Sequence, residues 1–256
     1  MPRDSGQKGR NGTERDASPA PTRIDDWVSF WDRPHAIYVS ERHADIHYRD
    51  IADAIMRYLP GPDARVLDYG CGEARHAETI AAAAGHLFLC EAAPSVRRKL
   101  AARFDGVGKI EVIAPESLPA MPDQSLDLIV VNSVVQYLSR DELLSLLAQW
   151  RRLLAPGGTL VIGDVIPPDA SAWTDLTALL RYARANGFLP AALFGVLRTA
   201  ASPYRKLRAT HGLARYGDAE FVALLQSAGF AAERQPVNIE HNQARMTFVA
   251  RPADGF

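Results

Sequence analysis

Asp68-Tyr69-Gly70-Cys71-Gly72 sets a carboxylate two residues ahead of a pair of glycines, at the end of the β-favouring run Arg65–Tyr69. In an open α/β sheet, ligands lie beyond the carboxyl ends of the strands, and glycines in the first strand-to-helix turn let backbone approach them closely. The dinucleotide pattern G-x-G-x-x-G fails here, because its third glycine position is Arg75. Asp68 beside that turn would repel a pyrophosphate and favour a ligand carrying an ammonium and a sulfonium. Glu91 follows the next apolar run, Leu87–Cys90, and lies 23 residues after Asp68. That is near the spacing of about 20 at which a carboxylate accepts hydrogen bonds from a ribose diol. The other duty open to Glu91 is capping the helix that begins near Ala93-Pro94-Ser95.

A second group of chemically able residues precedes the first strand. His35, His43 and His47, three of the seven histidines, fall there together with Tyr38 and Tyr48 and after Trp27, Phe30 and Trp31. His43 and His47 are four apart and share one helix face. With Tyr38 they are the candidates for a base or a substrate contact, and ordinary packing or surface histidines are the plain alternative. A His-x-x-x-His pair also suits a metal, but no glutamate follows His43 directly and no third ligand is evident beyond His35, so no metal site is expected. His241 and Asp164 are further candidates with no motif behind them.

The elements that must hold these residues alternate along the chain. A helix over Arg49–Leu59 ends at Pro60-Gly61-Pro62; strand Arg65–Tyr69 leads through the glycine turn into a helix over Glu73–Ala84 that stops at Gly85. Strand Leu87–Cys90, helix Ser95–Arg103, strand Ile110–Ile113, strand Leu126–Val131, helix Asp141–Leu154 and strand Thr159–Gly163 follow. A long helical stretch, Ala170–Arg208, comes before helix Asp218–Ala228. Two last strands, Ala232–Asn238 and Arg245–Ala250, are joined by the polar Ile239–Ala244 and can pair as an antiparallel hairpin. The expected fold is α/β, a doubly wound, seven-stranded, mostly parallel sheet.

Composition narrows the function classes. The chain has 256 residues, is 47% hydrophobic and has a formal net charge of -1, so no broad positive field supports binding to nucleic acid. Two cysteines, Cys71 and Cys90, make neither a disulfide scaffold nor a four-ligand zinc site, which fits a reducing, cytoplasmic setting. Residues 1–22, rich in Gly, Ser, Pro, Arg and Asp, read as a disordered leader without a signal-peptide core. No run approaches the roughly 20 apolar residues that span a bilayer.

The ordered set of motifs resembles the class I S-adenosylmethionine-dependent methyltransferases. Val66-Leu67-Asp68-Tyr69-Gly70-Cys71-Gly72-Glu73-Ala74 looks like the first motif of that family. The likeness continues through Glu91, Leu118-Pro119 ahead of Ser125–Val131, Pro156-Gly157-Gly158 and Ala228-Gly229-Phe230, from roughly Ile51 to Arg251. The stretch Asn132–Leu138, with Gly163-Asp164-Val165, is similar to the methyltransferase domains of nonribosomal peptide synthetases. The resemblance implies a seven-stranded Rossmann-like sheet with a reversed final hairpin and S-adenosyl-L-methionine as cofactor. By it, Gly70, Cys71 and Gly72 would lie against the methionine part, Asp68 near its ammonium, Glu91 on the ribose, Ala92 near the adenine and Asn132 where cofactor and acceptor meet. One position departs: the Asp that many members use for the adenine amino group is Ala114 here, followed by Pro115, which has no N–H to donate. Glu116 or Ser117 would have to supply that hydrogen bond.

The implied function is methyl transfer to a small-molecule or lipid-like acceptor at O, N or C. A non-catalytic S-adenosylmethionine-binding protein in a regulatory or assembly role and an NAD-dependent oxidoreductase are the alternatives. The expected organisation is a methyltransferase domain over 23–256, with 23–60 as an N-terminal helical cap and 167–217 as a helical lid. Within the lid, 173–208 combines apolar residues with a basic run from Arg198 to Arg208, a pattern that suits a hydrophobic substrate or peripheral contact with a membrane surface.

Overall fold

A computed structural model of the chain describes residues 23–33, 38–199 and 212–253. His35, the leader over 1–22 and most of the basic run between Arg198 and Arg208 lie outside the described residues. Seven strands form one sheet: β1 (Arg65–Tyr69), β2 (His86–Cys90), β3 (Ile110–Ile113), β4 (Leu126–Asn132), β5 (Leu154–Val165), β6 (Phe230–Arg234) and β7 (Met246–Pro252). Their order is β3-β2-β1-β4-β5-β7-β6. Every pairing from β3 to β5 is parallel, while β7 runs antiparallel to both β5 and β6. This is the doubly wound, mostly parallel sheet with a C-terminal antiparallel pair that the element order predicts.

The two faces are covered separately, which is why the central strands read as near-continuous apolar runs. Leu67, Ile129, Val131 and Ile162 face a core shared with Leu143, Leu147 and Trp150 of α5 (Arg140–Leu153) and with Phe221, Leu224 and Leu225 of α8 (Asp218–Ser227). Val66, Leu128, Val130 and Val161 point the other way, onto Ile55 of α2 (Glu41–Met56), Ile80 of α3 (Ala77–Ala83) and Leu100 of α4 (Pro94–Arg103). α1 (Arg23–Trp31) closes one end, with Trp27 buried and its ring centroid 4.4 Å from that of Tyr137.

Several boundaries differ from the sequence expectation for physical reasons. α2 starts eight residues before Arg49, at Glu41, because the Ser40 hydroxyl accepts from the His43 N–H and caps it. α3 starts at Ala77 because Glu73–His76 are spent in the turn, where Ala74 has φ 41° and Arg103 donates to the carbonyls of Glu73, Ala74 and Arg75. The stretch expected as one long helix from Ala170 is α6 (Ala172–Ala185) and α7 (Leu189–Thr199), broken at Asn186-Gly187. Ala183, Phe188 and Ala192 there pack onto Ile46 of α2, forming a small separate core, while Trp173 and Phe194 stay 70% and 68% exposed. β6 ends at Arg234, so the connection to β7 is longer than the polar link read from the sequence. Among the described residues no helix is long and apolar enough to cross a membrane.

Candidate active site

β1, β2, β4 and β5 end on one cavity of about 2050 Å³, lined by Asp68 and Tyr69, Cys90 and Glu91, Asn132, and Asp164, with α1, α2 and α6 around it. A single small ligand needs a pocket of roughly 300–1,000 Å³, so there is room for two.

The β1 turn forms the floor. Gly70 and Gly72 have φ of 76° and 59°, in the left-handed region that glycine tolerates. A Cβ on Gly70 would lie 2.5 Å from Val134 Cγ2, and one on Gly72 would lie 2.7 Å from Tyr48 Oη. Tyr48 Oη in turn accepts from the Glu73 N–H at 2.9 Å, tying the turn to α2.

Two carboxylates flank this turn. Glu91 accepts from the Gly72 N–H at 3.0 Å with one oxygen and from the Ala93 N–H at 2.7 Å with the other, so it ties the glycine turn to the residue just ahead of α4. Asp68 is buried, and among the described residues none donates a hydrogen bond to its carboxylate. Burial and then the Glu91 charge push its carboxyl up to about 7. Burial likewise raises Glu91, opposed by its backbone donors. The Cys71 thiol is pushed far up by burial, which leaves it a protonated, unreactive wall.

Across the cavity the β6–β7 connection folds inward, and it carries residues that the sequence reading missed. Glu240 is buried; its Oε1 accepts from Asn132 Nδ2 at 2.9 Å, and its Oε2 lies 3.4 Å from His47 Nδ1 and 3.5 Å from His241 Nδ1. Burial pushes the Glu240 carboxyl up, but the neighbouring imidazoles outweigh it and bring it down to about 2. Asp164, with φ 62°, accepts from Ser133 Oγ at 2.7 Å and from Arg245 Nη1 at 2.6 Å, and Arg245 Nη2 also donates to Asp175 at 3.1 Å. Ser133 itself has φ 56°, so left-handed, non-glycine backbone sits at the ends of two adjacent strands, where such strain gathers at functional sites.

Of the residues singled out in the sequence, Tyr38, His43, His47, Asp68, Gly70, Cys71, Gly72, Glu91, Ala92 and Asn132 all line the cavity. Glu116 and Ser117 lie instead on the exposed side of the 3-10 turn Pro115–Ala120, and Pro115 takes the place at the cavity wall. His43 differs from His47: its Nδ1 accepts from the Val39 N–H, its ring stacks on Phe188 at 4.8 Å, and burial and then the nearby His47 depress it to about 4. It is a neutral packing histidine. Tyr38 sits between the two, its ring 5.4 Å from His43 and 5.2 Å from His47, with burial pushing its hydroxyl far up. Glu240 and His241, which the fold brings to His47 from nearly two hundred residues away, are neighbours that the sequence reading did not pair with it.

Residues 67–162, the stretch from β1 to β5 that builds the floor of the cavity, match the family model described as a methyltransferase domain. That match supports, for this stretch, the reading as a class I S-adenosylmethionine-dependent methyltransferase. Nodulation protein S of Rhizobium tropici is 26% identical over 124 residues, which are 48% of this chain and 52% of that protein, so the chain spans about half the length of this curated relative. Among solved structures, the chain superposes on the DhpI–SAH complex with a TM-score of 0.58 at 12% identity, covering 90% of this chain and 97% of that one. The putative methyltransferase of Haloferax volcanii, solved with its Trm112 activator, gives 0.55 at 14% identity over 90% and 96%. Human N-acetylserotonin methyltransferase in complex with SAM gives 0.53 at 15% identity over 91% and 57%. These structural likenesses establish the fold, and the cofactor of the family is S-adenosylmethionine.

Proposed function

We propose that the protein transfers a methyl group from S-adenosylmethionine to a small acceptor with an apolar portion, held between the strand ends and α6. The observation that carries this is Asp68: a buried carboxylate without a donor among the described residues, beside a bare glycine turn. The residues fit the cofactor. Among the described residues neither Asp68 nor the buried Asn132 Oδ1 accepts a hydrogen bond, so both are acceptors awaiting a donor, as a cationic amino group requires. Gly70, Cys71 and Gly72 would hold the methionine part through their backbone, Glu91 the ribose through its remaining lone pairs, and Ala92 and Pro115 the adenine by contact.

When bound, the sulfonium supplies an already activated methyl carbon, so the protein's task is alignment and, for an acceptor bearing a proton, its removal. Leu176, Leu179 and Val196 line the side facing α6 and α7 and would receive the apolar part of the acceptor. Tyr38 and the His47–Glu240–His241 group form the polar wall towards which that proton would leave. His43, held neutral by its surroundings, packs behind them. Demethylated cofactor should accumulate when a metabolite extract is added to protein and cofactor; binding without turnover on any acceptor would favour the regulatory or assembly alternative, and binding of NAD alone would refute the reading.

Asp68 gives this proposal a pH signature. A carboxyl raised to about 7 holds a proton in the free protein over pH 4–7, and an arriving ammonium displaces it. Cofactor affinity should therefore rise with pH up to about 7 and then level off. Calorimetric titrations near pH 6 in buffers of different ionisation enthalpy should report release approaching one proton, lost in Asp68→Asn. No proton release in the parent protein would contradict the assignment.

A further inference from the structure

His47, Glu240 and His241 offer two imidazole nitrogens and a carboxylate oxygen that all lie within 4.8 Å of one another on the cavity wall. We infer that these three side chains form a binding site for a divalent transition ion of the zinc class. The nitrogen-to-oxygen separations, 3.4 and 3.5 Å, are longer than the 2.7–3.2 Å of an N–H···O hydrogen bond. They match the edge of about 3.4 Å that bonds of ~2.1 Å subtend at a tetrahedral centre. His241 Nδ1 is buried and, among the described residues, makes no hydrogen bond, which leaves it available as a ligand atom.

The surroundings hold the ligands in place, as outer partners of metal sites do. Glu240 Oε1 is fixed by Asn132 Nδ2, and the His241 ring stacks on Tyr182 at 4.5 Å, whose hydroxyl donates to Asp50 at 2.6 Å. His43 stays outside the set, since its Nδ1 already accepts from Val39. Two imidazoles and one carboxylate suit zinc, cobalt, nickel, iron or manganese rather than magnesium or calcium, and three protein ligands leave a coordination position open, as catalytic rather than structural sites do.

The chemistry this adds rests on the methyltransferase reading. An acceptor hydroxyl bound at the open position would lose its proton to water more readily. Its oxygen lone pair would then form the new C–O bond while the C–S bond breaks, its electron pair remaining on sulfur as the neutral thioether. Binding of the ion itself is independent of that reading.

The test uses the full chain, stripped with a chelator and dialysed against Co²⁺ or Zn²⁺, with bound metal measured by elemental analysis and Co²⁺ also by its visible absorption. One ion per chain is expected, with affinity reduced more than about tenfold in His47→Ala, in His241→Ala and in Glu240→Gln. His86→Ala, which breaks the surface pair with Glu111, is the control for adventitious binding and should bind as the parent does. His241 is partly exposed, so His241→Ala carries the test if Glu240→Gln fails to fold, as judged by thermal unfolding. No ion on the parent, or binding undiminished in the three variants, overturns the site. S-adenosylmethionine titrated into the metal-free parent separates the two ideas: cofactor binding without metal binding overturns this inference alone, and metal binding without cofactor binding overturns the methyltransferase reading alone.

Discussion

Arg245→Met is expected to destabilise the fold by about 3–5 kcal/mol, the cost of leaving a buried charge without its partner. Arg245 bridges Asp164 and Asp175, and the Asp164 side chain is only 6% exposed. Burial raises the Asp164 carboxyl and the Arg245 charge opposes that rise, so removing the guanidinium forces the carboxylate either to stay charged in a dry site or to take up a proton. In the variant the folded Asp164 would bind a proton more tightly than the unfolded chain does. By linkage its deficit should shrink as the pH falls towards 4 and grow as it rises. Urea denaturation at pH 5 and 7 measures both effects. Arg245→Met combined with Asp164→Asn should cost less than the sum of the single changes, because the orphaned charge is gone. An unchanged midpoint at pH 7 would show that the pair contributes little.

Gly72→Val should abolish useful cofactor binding, lowering affinity at least about 100-fold, or ~2.7 kcal/mol. Two effects combine. A β-branched residue at φ 59° meets backbone strain of roughly 1–2 kcal/mol, and its Cβ would stand 2.7 Å from Tyr48 Oη. Tyr48 cannot simply swing away, because its oxygen accepts from the Glu73 N–H that shapes the turn. The Gly72 N–H would also lose its alignment with Glu91, so the damage reaches the residue proposed for the ribose. Calorimetric titration with S-adenosylmethionine, alongside a thermal melt to confirm folding, decides it; parent-like affinity in a folded variant would remove Gly72 from the proposed site.

What was legible in the sequence follows from how locally each feature is specified. The Asp68–Gly72 turn, Glu91 and the alternation of strands and helices are set by neighbours in the chain, and periodicity exposes them. The start of α2 was hidden because Glu41–Tyr48 is dominated by polar residues, with only Ala44 and Ile46 to mark an apolar face, although the Ser40 cap was there to be read. The break between α6 and α7 depends on Asn186-Gly187, a short interruption inside an otherwise helical pattern. Glu240 could not be placed: its meaning comes from Asn132, 108 residues earlier, and from His47 on α2. The one available hint was the density of Asn, Glu, His and Gln between Asn238 and Gln243, too polar for a strand and longer than a hairpin needs. Glu116 and Ser117 were reached by elimination around Ala114, and the Pro115–Ala120 turn carries both side chains outward.

The sheet order has a kinetic corollary. β7, the later of the two final strands, occupies an interior berth between β5 and β6, so β6 has no neighbour to zip onto until β7 is in place. Joining these partners requires closing a loop of some eighty residues, from Val165 to Met246, a slow, entropically costly event. Because the same insertion carries Glu240 and His241 to the strand ends, the wall opposite the glycine turn should be the last part of the molecule to assemble, and a refolding chain should acquire its central parallel strands before it acquires that wall.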